Sequence, residues 1–104
     1  MTEYQTGKRI VTYVPDYVVF DLETTGTNFK KDQIVEISAL RAENGVVTEQ
    51  FSTLVNPQCP IPYGVSQIHG ITDEMVEDAP VLGDVLPQFF AFIKDRVLVG
   101  HNIQ

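Results

Sequence analysis

One hundred and four residues, 43% of them hydrophobic and with six Phe and four Tyr, are enough for one buried core and exclude a second domain. Seven basic residues against fourteen acidic give a net charge of −7, which excludes a protein that holds nucleic acid through a broad basic surface; a polyanionic substrate would need help from cations. No apolar run approaches the roughly 20 residues of a membrane span, Met1–Arg9 is polar with no apolar segment behind it, and Cys59 has no second thiol to pair with, so the expectation is a cytoplasmic chain with no membrane partner.

Residues 1–16 read as an N-terminal leader. From Tyr17, YVVFDLE is a nearly continuous β-branched and aromatic run, and ETTG supplies a polar stretch ending in a glycine, so a buried strand runs into a loop. After the polar linker Thr27–Gln33, IVEISALRAE alternates apolar and polar residues at period two, with Ile34, Glu36, Ser38 and Leu40 on one set of positions, which predicts a half-buried second strand. Asn44–Gly45 is a hairpin-turn dipeptide, because both residues tolerate positive φ, and VVTEQFSTLV beyond it is again β-rich. Three strands form an antiparallel meander.

Asn56–Pro57, Pro60 and Pro62 then predict an extended, proline-stiffened crossing segment. Thr72 is an N-cap followed by Asp73 and Glu74, where the helix dipole favours acidic residues, so a short helix begins there and ends at Ala79–Pro80. Val81, Val85, Phe89, Phe92 and Ile93 recur near helical spacing and predict an amphipathic helix over about 82–95 that packs on the sheet. Val97–Gly100 reads as a short buried strand. The helical crossover lets this fourth strand lie parallel to a neighbour, giving an α/β fold. One sheet face and the terminal edge then lack cover, and self-association through that edge is expected.

Asp21 and Glu23 stand two apart at the end of the first strand, so both project from one face. Two adjacent like charges call for a cation, and oxygen ligation favours Mg²⁺ or Mn²⁺ over zinc. A lone D-x-E at a strand end is more often ordinary solvated charge. Here Thr24, Thr25 and Gly26 follow at once, offering hydroxyls and a permissive backbone where a phosphate or sugar could approach.

FDLETTG resembles the first motif of the DEDD family of 3′→5′ exonucleases. IVEISAL, FSTLVNP, IHGITDEMV with DAP, and LVGHN follow in the family's order, and the set is similar to the DEDDh branch found in the epsilon subunit of bacterial DNA polymerase III and in PolC-type polymerases. The likeness covers residues about 17–104, the N-terminal part of such a domain. It implies a ribonuclease H-like fold and a metal-dependent 3′→5′ exonuclease acting on a single-stranded or frayed 3′ end of DNA, in polymerase III proofreading. A polymerase or helicase would be its partner.

The same likeness assigns Asp21 and Glu23 to two divalent ions, with Asp21 bridging both, and Thr24, Thr25 and Gly26 to the terminal nucleotide. His69 becomes a candidate contact to the terminal base, against a local reading as a hydrogen-bonded loop histidine. His101 and Asn102 match the start of the second motif, and Asn102 is either a substrate contact or a cap for a following helix. The later carboxylates and the general base of the family lie past Gln104, so the expectation is that this chain alone is inactive. The rival readings are a non-catalytic nucleic-acid-binding module derived from the exonuclease fold, and an unrelated domain with a chance D-x-E.

Overall fold

The computed structural model describes residues 2–6, 9–13, 16–28 and 31–100. Within the stretch read as a leader, Thr2–Thr6 (β1) and Arg9–Tyr13 (β2) form a two-stranded antiparallel hairpin. The main sheet has four strands, Asp16–Thr24 (β3), Ile34–Glu43 (β4), Val46–Leu54 (β5) and Val97–Gly100 (β6), in the order β5-β4-β3-β6. β3, β4 and β5 are the antiparallel meander, and β6 lies parallel to β3 after the helical crossover. Asn44 (φ 52°) and Gly45 (φ 79°) both take positive φ in the β4–β5 turn, which is why that dipeptide is there.

The alternation of the strands decides which face is core. Val18 is fully buried, and Phe20 and Leu22 pack against the same cluster. Opposite them in register lie Arg41, Ala39 and Ile37 of β4, so this face collects the apolar positions. Leu82–Ile93 (α3) covers it with Val85, Phe89, Phe92 and Ile93, the stripe expected from their spacing. Phe51 of β5 meets Phe89 and Phe92 at ring separations of 5.7 and 5.6 Å.

Arg41 occupies a core position and is 5% exposed. Its guanidinium donates through Nε and Nη2 to the Phe92 carbonyl in the last turn of α3 and lies 4.6 Å from the Phe92 ring centre. A cation at the negative end of a helix dipole thus fastens α3 to β4.

The segment after β5 differs from the sequence expectation. Residues 56–62 are irregular, but Tyr63–His69 (α1) is a helix, followed by Asp73–Val76 (α2). α1 has no side-chain cap at Pro62 and no acidic residue in its first turn, so it lacks the usual start signals; its stop signal is Gly70, left-handed at φ 77°. The expected cap of α2 is present, with the Thr72 hydroxyl accepting from the Met75 N–H at 3.3 Å. Ile61, Ile71 and Val76 bury against Val35 as a second small core beneath this corner. Among the described residues no helix is long and apolar enough to cross a membrane.

Candidate active site

With Val18, Phe20 and Leu22 turned to α3, the intervening Asp21 and Glu23 project from the other face of β3. Asp21 sits opposite Ser38, and Glu23 sits opposite Glu36, just before a register irregularity between Glu23 and Thr24. The i, i+2 spacing therefore places the two carboxylates as expected and adds a third acidic side chain, Glu36, beside them. Asp21 Oδ1 is buried with no hydrogen-bond partner among the described residues. A carboxylate oxygen shielded from water and unmatched by a donor is costly unless a cation meets it. This observation fits Asp21 and Glu23 to a divalent ion. Among the described residues, no three of His, Cys, Asp or Glu converge closely enough to hold one by themselves.

Burial, and after it the charges of Glu23 and Asp21, raise the Glu36 carboxyl above its ordinary value of 4.5, while His69 acts in the opposite direction. The folded state therefore binds this proton more tightly than the unfolded chain does. The stability it contributes is complete below about pH 4.5 and is lost as pH rises through the raised value. Glu36→Gln removes that loss. In thermal melts with EDTA the variant is expected to gain on the wild-type chain between pH 3.5 and pH 7, and a constant difference would contradict the assignment.

The loop after β3 is built around Asp32, which the sequence reading left inside a polar linker. Asp32 Oδ1 accepts from the Thr25 hydroxyl at 3.0 Å, and Oδ2 accepts from the Asn28 N–H at 2.7 Å. Thr25 is 2% exposed; its N–H donates to the Gln33 carbonyl at 2.8 Å, and its hydroxyl accepts from the Gln33 N–H at 3.0 Å. Its side chain thus braces the loop from within instead of facing outward toward a nucleotide. A Cβ on Gly26 would stand 2.6 Å from Asp32 Oδ2, so a larger residue here would displace the Asp32 carboxylate from its bonds to Thr25 and Asn28. The Thr24 hydroxyl donates to the Gly26 carbonyl and closes the turn.

His69, the last residue of α1, reaches this loop across 45 positions of sequence: Nε2 lies 3.0 Å from the Thr24 carbonyl oxygen. Its neighbour Ile68 is 86% exposed, an apolar side chain presented to solvent. The structure therefore brings Asp21, Glu23, Thr24, Gly26 and His69 to one corner, with Thr25 inside it. Asn102 and His101 lie outside the described residues. Sequence reasoning missed Glu36 and Asp32; the usable signal for Glu36 was its membership of the same alternating set as Ser38.

Residues 18–104 match the family model described as Exonuclease. The chain belongs to this exonuclease family. Its likeness to the PolC-type DNA polymerase III of Caldanaerobacter subterraneus subsp. tengcongensis is 43% identity over 97 residues, 93% of this chain and 7% of that protein. With the DNA polymerase III epsilon subunit of Aquifex aeolicus it shares 41% identity over 88 residues, 85% of this exonuclease chain and 44% of that protein. A solved structure of Exonuclease X in complex with 5′-overhanging duplex DNA superposes with a TM-score of 0.64 at 32% identity, covering 83% of this chain and 55% of that one. Exonuclease I superposes with a TM-score of 0.74 at 19% identity over 84% of this chain and 21% of that one, which shows the shared fold. The chain thus spans 7% of the PolC-type relative's length and 44% of the epsilon subunit's. The expected ribonuclease H-like α/β architecture holds, with the parallel β6 beside β3. Enzymes of this family generally use divalent metal ions.

Proposed function

We propose that this chain forms the carboxylate corner of a metal-dependent 3′→5′ exonuclease that removes nucleotides from a single-stranded or frayed 3′ end of DNA, as the proofreading activity of a polymerase III-type replicase in the cytoplasm. The observation that carries the reading is the pairing of Asp21 and Glu23 on one sheet face, with a buried Asp21 oxygen that no donor among the described residues meets.

Asp21 and Glu23 are the residues that would hold Mg²⁺ or Mn²⁺, since both offer hard oxygen donors. The bound metal would supply a Lewis acid for the phosphate oxygens and offset the carboxylate charge that otherwise repels DNA. The chain's own part is positional. Asp32 and Thr25 hold the loop from within, Thr24 and Gly26 form its outer turn, and His69 ties that turn to α1. The exposed Ile68 offers an apolar surface for a terminal base. Leu40, Val97 and Val99, which share the carboxylate face by register, are half exposed, and this supports self-association of the isolated chain.

Hydrolysis of a labelled oligonucleotide tests the reading, with Asp21→Ala as the variant. Cleavage that survives Asp21→Ala would overturn it, and DNA binding without cleavage by a complete domain containing residues 18–104 would favour a non-catalytic module instead.

A further inference from the structure

We propose that His69 is a positioning residue, a tautomer-fixed strut that holds the Thr24 carbonyl and with it the turn from Glu23 to Gly26. The consequence for metal binding rests on the function proposed above; the geometric claim does not.

The hydrogen bonds define the ring. Nδ1 accepts from the Ile71 N–H at 3.1 Å, so Nδ1 must present its lone pair and the proton of the neutral ring sits on Nε2. Nε2 lies 3.0 Å from the Thr24 carbonyl, to which that proton is donated. Both polar atoms of His69 are therefore taken by backbone, and neither is left for a base edge or a phosphate.

Each end of the strut is anchored. Ile71 is 4% exposed and packs with Val35, Ile61 and Val76, and its carbonyl accepts from the Ser66 hydroxyl at 2.7 Å. Gly70 makes this possible: its left-handed φ of 77° turns the chain so that the Ile71 N–H points back at the ring two residues earlier. At the other end Thr24 closes β3 immediately after the register irregularity that follows Glu23, where the ladder with β4 is disturbed. A bond from outside the sheet at that point fixes the direction in which Glu23 leaves it.

Two substitutions separate the two nitrogens. Gln carries an amide N–H at about the reach of Nε2 and can keep the Thr24 bond; Asn carries an oxygen at about the reach of Nδ1 and keeps only the Ile71 bond. The experiment uses the 104-residue chain, ¹⁵N-labelled. Imidazole ¹⁵N–¹H correlation of the wild type should give the Nε2-protonated tautomer. Amide exchange at residues 24–26 should accelerate about fivefold in His69→Asn and stay within about twofold of wild type in His69→Gln. Titration with Mn²⁺ alone should show affinity about fivefold weaker for His69→Asn and near wild type for His69→Gln.

An Nδ1-protonated wild-type ring overturns the proposal. So does equal behaviour of two variants that both fold, either as the same change in amide exchange at residues 24–26 or as weakened oligonucleotide binding with Mn²⁺ affinity intact, the pattern of a base contact. If the tautomer and amide pattern hold while the wild type binds no Mn²⁺, the strut stands and the metal reading fails. If both variants unfold, the wild-type tautomer decides.

Discussion

Asp21→Ala in a complete exonuclease domain that contains residues 18–104 is expected to lower 3′→5′ exonuclease turnover about a thousandfold, and the 104-residue chain alone is expected to release no nucleotide above that variant's background. Removing a carboxylate that holds a catalytic ion forfeits several kcal/mol of charge stabilisation, and about 4 kcal/mol is a thousandfold in rate. Asp21 is the residue to change because its Oδ1 is buried and unmatched, so the metal has more to gain there than at an exposed carboxylate. The chain alone is expected to fall short because among its described residues no three metal-binding side chains converge, while cleavage through two metals needs further ligands and a base. A 3′-labelled oligonucleotide with Mn²⁺, resolved by length, reads both results. Comparable cleavage by the short chain, abolished by Asp21→Ala, would mean that a second copy or an unrecognised residue completes the site.

Arg41→Ala is expected to cost about 3 kcal/mol of folding stability and to lower Tm by more than about 10 °C. The loss has separable parts. Two charge-assisted hydrogen bonds to the Phe92 carbonyl disappear and leave that carbonyl without the donor it has in the fold; the contact with the Phe92 ring and the packing of the side-chain stem go too. The ion pair with Glu49 contributes little, although it is short at 2.7 Å, because the Glu49 side chain is 58% exposed and solvent screens it. Glu49→Gln should therefore stay within about 0.5 kcal/mol of wild type. Urea unfolding followed by circular dichroism distinguishes these outcomes. If Glu49→Gln proved as damaging as Arg41→Ala, the ion pair and not the helix anchor would be the source of stability.

Which parts of this were legible follows from the range of each signal. The meander could be read because its signals are local: period-two alternation in IVEISAL, and Asn44–Gly45, whose two positive φ values the structure reproduces. α3 was legible from one stripe, Val85, Phe89, Phe92 and Ile93. α1 was not, since Tyr63–His69 contains a glycine, a β-branched valine and an isoleucine and starts without a side-chain cap. Asp21 and Glu23 follow from spacing alone, but Glu36 depends on register across the loop from residue 25 to 33, and a loop of that length does not fix register as a two-residue turn does. Arg41 was invisible for a related reason: its partner, the Phe92 carbonyl, is 51 positions away. His69 was legible as a residue worth notice, while the bond that defines its role runs 45 positions back to Thr24.

Asp21 and Glu23 are expected to gather a divalent ion that carries DNA onto an otherwise acidic chain. Fluorescence anisotropy of a labelled single-stranded oligonucleotide, titrated with the 104-residue chain in Mn²⁺, in EDTA, and with Asp21→Asn, tests it directly. With a net charge of −7, binding is expected to require Mn²⁺, to be lost in EDTA, and to weaken at least tenfold in Asp21→Asn. Binding of equal strength with and without EDTA, unchanged in Asp21→Asn, would contradict it.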